Sequence, residues 1–555
     1  MALILPDIKL AVGIDLGTAN IKAGIFRNGK LEIIPSSDGN LFMLAYLAFA
    51  DNCRLFGAPA KYHAFRHPTS SVYNVKSFIG RKTTDPELLT ELETFTTKVI
   101  DKNGQATFQA THPRAEIEVN TVEVLAMLLG QIRRNVEKYL KVFIPDAVIT
   151  VPAKYSMRQR QVVKDAALIA GFNILRLLSA PSAILLGRGF EATSETDMEN
   201  ILTIDIGVSG LNVGCARIKK GVCKMLATAR ENNVGGASYI LVLFNHCCEL
   251  LQNRGLDIRR DIGAAYRLRL ACEDAIRWLS CVTEYDIDMA AEGILGAGAY
   301  KICLTREFIE DLLHESFKPI LPLIERVLDD SNMLKGNIHE ILITGHSSHT
   351  PGHRKAWESY FDGEPKPTLR VASDFELMGA SIEAANRSGD ASFPHTCLLY
   401  DTTFLPLGVE TDFFNMDVIT PGNAAAPCTK SSEFRWDHRC NFLTTDTIVG
   451  DPAQQRGPAC IIIYEGEQPH TKGNSSVMRM NITRLLPKRP NFNTLLAVRF
   501  DVDKNLDLAV TVKEVLSGHS ITKKVESANL GMLKFELEAM SMSMNHYDGV
   551  DQTGF

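Results

Sequence analysis

Nowhere in its 555 residues does the chain set two cysteines at CxxC spacing, although it has twelve of them. That absence excludes a paired-cysteine metal or redox motif, and scattered thiols in a chain of this size read as reduced and mostly buried. The triplet His246-Cys247-Cys248 lies in an apolar helical stretch without further ligands and reads as core packing. There is no basic block and the net charge is −6, which argues against a nucleic-acid partner. The longest apolar run, Leu41 to Ala50, is too short to cross a bilayer, so no membrane partner is expected. The opening Met-Ala-Leu-Ile-Leu is cut by Pro6 and lacks a basic flank and a cleavage site; the reading is a cytosolic protein, with the nucleus a secondary placement. A Walker A loop is missing too, and so is a dinucleotide fingerprint, since neither of the two Gly-containing hairpins described next opens directly into the helix of a βαβ unit. The length itself implies two to four folding units.

What is present is a repeated grammar. The stretch AVGIDLGTANIKAGIF, Ala11 to Phe26, reads as two short apolar strands joined through Gly-Thr and Asn. Taken alone it is a hairpin whose Asp15 and Gly17 serve the turn. Yet ILTIDIGVSGLNVGCA, Ile201 to Ala216, has the same layout, with Asp205 and Gly207 in the corresponding places. The repetition predicts an internal duplication, two lobes facing each other. Successive N–H groups in a Gly-containing turn form an anion-binding nest, and small residues let the backbone approach a phosphate. An Asp at each strand end can hold the waters of a Mg²⁺ ion. The expectation is two opposed hairpins closing on one triphosphate.

Two further segments fit that picture. EILITGHSSHTPG, Glu340 to Gly352, is an apolar strand ending in Gly345. RLRLACEDAIRWLSCV reads as a helix with Leu268, Cys272, Ala275 and Leu279 on one stripe and Glu273, Arg277 and Ser280 on another face. The polar face suits hydrogen bonds to a ribose and stacking on an adenine, or else is a solvated surface.

Collinear motifs then carry a family resemblance: GIDLGT, FIGRK, VPAKYSMRQRQVVKDAALIAGFNILRLL, LTIDIG, VGG, ACEDAIRWLS, YEGE and FDVDKN. In this order, to about residue 530, they resemble the DnaK-type (heat-shock protein 70) chaperones. The resemblance implies an α/β, actin-like two-lobed ATPase domain with duplicated ribonuclease H-like lobes over 1–388. A linker over 389–401, a β-sandwich that binds extended peptides over 402–530 and a short tail over 531–555 would follow. The implied cofactors are ATP/ADP and Mg²⁺. The implied partners are protein clients held as extended peptides, with a J-domain co-chaperone, an exchange factor or a conventional relative as further candidates. Carried over position by position, Asp15, Thr18, Lys76 and Asp205 match the catalytic positions, with Asp15 and Asp205 holding Mg²⁺ through water. Gly17, Thr18, Gly207, Gly235, Gly236, Glu273, Arg277, Ser280, Gly345 and Asp374 match nucleotide contacts. Pro152 and Arg160 match the pair that relays nucleotide state, and Leu398 and Leu399 match the linker leucines. Val409, Ile461 and either Phe434 or Phe442 match the peptide pocket.

Departures cluster at the catalytic end. The family's Glu-Pro-Thr is Ala180-Pro181-Ser182, so a carboxylate is gone from the cation and water network. Its Gly-Gly-Gly-Thr is Gly207-Val208-Ser209-Gly210, without the threonine hydroxyl and with a branched side chain in the turn. Asn212, Ile276 and His349 replace an Asp, a Lys and an Arg, and Asp412 stands where the family has an apolar arch residue. Such losses commonly cost on the order of 10²–10³ in rate each, without adding within one network. The expectation is therefore a weak ATPase, with a non-catalytic co-chaperone or adaptor as the alternative. After Leu530 the remaining residues are expected to be too few for the family's helical lid, and Met540, Met542 and Met544 read as a loose tail.

Overall fold

A computed structural model describes residues 10–51, 53–102, 104–112, 116–189, 198–296, 301–362, 366–389, 398–437, 442–444, 459–486, 494–525 and 540. The first hairpin forms as the apolar pattern requires, as β1 (Ala11–Leu16) and β2 (Asn20–Arg27), followed by β3 (Lys30–Ile34). With β4 (Asp146–Val151) and β5 (Asn173–Ser179) they form a sheet in the order β5-β4-β1-β2-β3, with Met43–Leu44 added beside β2. β4 is parallel to β1 and β5, whereas β2 and β3 run antiparallel to their neighbours. Both faces of β1 and β4 are buried, which is why they read as continuous apolar runs and not as alternations. Helices α1 (Thr121–Leu140) and α2 (Met157–Ile169) share the core of this lobe, each opened by a reciprocal capping box, Asn120 with Glu123 and Ser156 with Gln159.

The second hairpin repeats the plan. Strands β6 (Met198–Ile206), β7 (Leu211–Lys219), β8 (Val222–Glu231), β9 (Glu340–Thr344) and β10 (Thr368–Val371) lie in the order β10-β9-β6-β7-β8. Position for position, strand sense matches the first sheet. The Asp-x-Gly echo is thus an echo of topology. Between the sheets, helices α3 (Ala180–Gly187) and α6 (Phe375–Ser388) cross in close contact. A Cβ on Gly187 would lie 2.9 Å from the Phe375 Cα, and one on Gly379 2.9 Å from the Ala183 Cα. Only residues without side chains permit that approach.

On the second lobe lie α4 (Gly236–Gln252) and α5 (Ile262–Leu279). Leu268, Cys272, Ala275 and Leu279 form the buried stripe of α5, and Cys247 and Cys248 sit in the same apolar core. Among the described residues, no helix is long and apolar enough to cross a membrane.

After α6 the architecture changes. Strand β11 (Leu398–Tyr400) adds in parallel to the edge of β8, pairing Leu398, Leu399 and Tyr400 with Val222, Cys223 and Lys224. Residues 390–397 of the expected linker lie outside the described residues. Beyond it, β12 (Leu407–Glu410), β13 (Met416–Thr420), β16 (Cys460–Glu465) and β17 (Ser475–Asn481) form one antiparallel sheet. The other contains β14 (Cys428–Asp437), β15 (Phe442–Thr444), β18 (Thr494–Val502), β19 (Leu508–Glu514) and β20 (Ser520–Lys524). Here burial alternates along β18 and β19, so each strand gives one face to a shared apolar core.

These sheets dock on the first lobe. The Met157 N–H donates to Glu465 at 2.7 Å, Arg160 Nη2 to the Asn505 carbonyl at 3.2 Å, and Lys164 pairs with Asp507 at 2.7 Å. Met540, expected in a loose tail, packs half-buried against the core of the first lobe. Met542, Met544 and the rest of that tail lie outside the described residues.

Candidate functional site

The two hairpin turns face each other across a cavity of about 940 Å³ between the lobes. Asp15, Gly17 and Thr18 line it from one side and Asp205, Gly207 and Val208 from the other. The Thr18 hydroxyl donates to Ser209 Oγ at 2.9 Å, a direct link between lobes. Thr150, next to last in β4, braces the first turn: its hydroxyl accepts from the Leu16 N–H and donates to Asp15 Oδ1, both at 3.0 Å. In the second lobe Asn212 donates to Asp205 Oδ2 at 2.7 Å, and its carbonyl oxygen accepts from the Ala153 N–H at 3.2 Å.

Lys76 enters the same cleft and donates to the Leu16 carbonyl. Burial pushes its ammonium down to about 8; Asp15 and Asp205 act against that fall, and Arg230 adds to it. Asp205 is pushed up by burial and by Asp15, against the pull of Asn212 and Lys76. A third carboxylate joins them. Glu376, in the first turn of α6, accepts from the Thr344 hydroxyl at 2.8 Å, and Thr344 lies beside Asp205 in the β6–β9 register. Burial, then Asp205 and Asp15, hold Glu376 well above the ordinary carboxylate range. Crowded buried carboxyl groups favour a cation between them. No three acidic, His or Cys side chains are placed to ligate an ion directly among the described residues. The donor set therefore fits Mg²⁺ held through its waters.

Gly235 and Gly236 belong to the second turn. A Cβ on Gly235 would lie 2.7 Å from the Gly207 carbonyl oxygen, and Gly236 N–H donates to that oxygen at 3.1 Å. Gly236 lines the cavity, and Gly235 packs behind the turn. Gly345 has φ +83°, and a Cβ there would lie 2.7 Å from Asp205 Oδ1. Glycine is the residue that both the backbone and the carboxylate require.

Glu273, Ile276, Arg277 and Ser280 also line the cavity, as do Ser347 and His349 beyond Gly345. Glu273 pairs with Lys61 at 3.3 Å and Arg269 at 3.9 Å. Burial raises its carboxyl, but Lys61 and Arg269 together hold it below its ordinary value. Asp374 does not line the cavity; Lys22 Nζ, which does, donates to it at 2.8 Å and to the Ser373 carbonyl at 2.6 Å.

The remaining expected residues fall elsewhere. Pro152 lines the cleft, while Arg160 is buried at the docked sheets, its guanidinium 4.6 Å from the Phe404 ring centre. Leu398 is exposed on the sheet edge and Leu399 half-buried against α3 and its surroundings. Val409, Phe434 and Ile461 are at most 1% exposed, packed in the core shared by the two C-terminal sheets. The side chain of Phe442 lies outside the described residues. Sequence reading missed Lys22, Lys61, Thr150, Arg230, Arg269 and Glu376. A lysine inside an apolar strand was the available signal for Lys22. For Glu376 and Arg230 there was none, because their neighbours are far away in the chain.

Residues 11–554 match the model of a family described as Hsp70 protein. The Heat shock 70 kDa protein of Neurospora crassa is 33% identical over 549 residues, which is 98% of this chain and 81% of the relative. The Heat shock 70 kDa protein 2 of Paracoccidioides lutzii is 33% identical over 549 residues, 98% of this chain and 80% of the relative. The Heat shock 70 kDa protein of Trichophyton rubrum has the same identity and coverage, 33% with 98% and 80%.

Proposed function

The chain belongs to the Hsp70 family of chaperones, and we propose that it binds ATP with Mg²⁺ between its lobes and uses nucleotide state to govern the grip of its C-terminal sheets on extended protein segments. The convergence of Asp15, Lys76 and Asp205 on one cleft, under two facing turns, is the observation that carries this reading. In it, residues 1–388 are the actin-like ATPase unit and 402–530 the client-binding sandwich.

Mg²⁺, when bound, offsets the phosphate charge. Asp15 and Asp205 would hold its waters, and Glu376 of α6 would add a carboxylate in the same cavity that Ala180 of α3 lines without one. Lys76 sits where an ammonium stabilises charge developing on the terminal phosphate and the attacking water. Glu273, Arg277 and Ser280 offer hydrogen bonds to a ribose. Between site and sheets runs a short path: Pro152 lines the cleft, the next residue's N–H holds Asn212, and Arg160 stands one helical turn into α2 at the docked surface. Closing or opening the lobes would shift that surface and the β8 edge that holds β11.

Measuring ATP affinity and single-turnover hydrolysis on one preparation, with Asp205→Asn as control, tests this. Mg²⁺-dependent binding with hydrolysis that Asp205→Asn abolishes is the expected result. Absence of nucleotide affinity sinks the reading. Burial of Val409, Phe434 and Ile461 in the sandwich core favours a second reading, an adaptor that acts on a conventional relative without gripping clients. Stimulated ADP release from such a relative would support it, and no effect at saturation would remove it.

A further inference from the structure

Arg230, next to last in β8, reaches back over the phosphate turn of the second lobe. Its Nη1 donates to Asn212 Oδ1 at 2.9 Å, its Nη2 to the Ser209 carbonyl at 3.1 Å and hydroxyl at 3.3 Å, and its Nε to Asn232 Oδ1 at 2.6 Å. Two of these partners are themselves part of the site. Asn212 donates to Asp205, and Ser209 accepts from Thr18 of the opposite lobe. The guanidinium also lines both the main cavity and a smaller one that continues from it past Lys76 and Tyr155.

Gly210 explains how the guanidinium fits. A Cβ there would lie 2.6 Å from the Glu231 carbonyl oxygen, 2.8 Å from Arg230 Nη2 and 3.0 Å from Cζ, so a side chain at 210 would crowd both the β8 backbone and the guanidinium. This is the position at which the resemblance places a threonine hydroxyl.

We propose that Arg230 is the residue by which this cleft tells a nucleoside triphosphate from a diphosphate, its positive charge, held on the phosphate turn, attracting the terminal phosphate in place of the missing hydroxyl. The proposal rests on the nucleotide-binding reading above. Unlike a hydroxyl, a guanidinium brings a full charge that it keeps at any working pH. Asn212, Ser209 and Asn232 fix its plane before any ligand arrives, so little side-chain entropy is lost on binding. Its charge is felt in the cleft: burial is the main depressor of Lys76, but Arg230 depresses it further, and it opposes the rise that burial imposes on Asp205.

The test is calorimetric titration of the full chain, with Mg²⁺, by ADP and by an imido analogue of ATP that resists hydrolysis. Arg230→Gln is expected to weaken the analogue about 10- to 100-fold, the worth of one unit charge close to a phosphate in a partly buried site, and to leave ADP within about threefold. Retained ADP affinity shows that the variant is folded. Arg230→Lys, which keeps the charge without the guanidinium's hold on the turn, should fall between and stands in if Arg230→Gln does not fold. An unchanged ratio of analogue to ADP affinity in the variants overturns the proposal. So does tighter analogue binding, which would mean that the guanidinium fills the terminal-phosphate pocket. If the wild-type chain binds neither ligand, the nucleotide reading has failed and takes this proposal with it. Failure of the proposal alone leaves both ligands bound by wild type.

Discussion

Glu465 should make docking of the C-terminal sheets pH-dependent, and its sign can be worked out. The carboxylate ends β16 and lies against the start of α2, where it accepts the Met157 N–H at 2.7 Å. Burial pushes it up from 4.5 to about 7, opposed by that hydrogen bond and by the Arg160 guanidinium, the charged group facing it across the interface. When the sheets swing away the group returns to water and to its ordinary value. The docked state therefore binds the proton more tightly than the undocked one. Docking is strongest below pH 4.5, weakens as pH rises toward about 7, and is level above that. At about 1.4 kcal/mol per pH unit, the full span is worth about 3 kcal/mol. Between pH 5 and pH 8 the loss is about 2–3 kcal/mol, on the order of 50-fold in the ratio of docked to undocked molecules.

Energy transfer between dyes on the first lobe and on β20 reads that ratio without nucleotide. The wild type should lose transfer over this window, and Glu465→Gln, neutral throughout, should hold it flat and stay docked at pH 8. A Glu465→Gln profile as steep as the wild type would refute the reasoning, as would wild-type docking that strengthens with pH.

Three other outcomes follow from the site and its connections. Lys76→Ala should lower single-turnover hydrolysis about 10²–10³-fold while ATP affinity, by titration, changes far less; equal hydrolysis would remove Lys76 from the chemistry. Glu376→Gln should act in opposite directions. The free protein should melt at a higher temperature near neutral pH, because a carboxyl held high by burial and like charge costs stability as pH rises above its ordinary range, while the Mg²⁺-dependence of ATP binding weakens. A variant that loses stability and keeps full Mg²⁺-dependence would contradict both halves. Asp401 is buried and pairs with Arg176 at 3.5 Å, beside the Arg176–Glu383 pair at 2.9 Å. Asp401→Ala should speed hydrogen exchange across Leu398–Tyr400 by an amount equivalent to about 1–3 kcal/mol, less than a fully orphaned buried charge because Glu383 remains. Unchanged exchange would mean that β11 is held by its pairing to β8 alone.

What could be read from the chain, and what could not, divides along a physical line. Asp15 and Asp205 were legible because a carboxylate inside an apolar strand is costly, and doing so twice in the same layout needs a common cause. The α5 stripe was legible because helical period and burial coincide at Leu268, Cys272, Ala275 and Leu279. The substitutions were legible one at a time, as losses: Ala180 without its carboxylate, Gly210 without its hydroxyl. Their counterparts were not, because nothing local marks them. Glu376 reads as an ordinary first-turn acid until α6 is laid against β9, and Arg230 as an ordinary strand-end cation until β8 is paired with β7. Each would, in the proposed reading, replace a missing group from a different element, so the replacement has no signature in linear order. The same reasoning bears on Val208. Its carbonyl accepts from the Ala237 N–H at 2.9 Å, so the turn is tied to the start of α4, and Val208 lines the cavity. On the proposed reading Glu376 and Arg230 stand in for the lost carboxylate and the lost hydroxyl, and Val208 is the branched residue that a phosphate entering this turn has to pass.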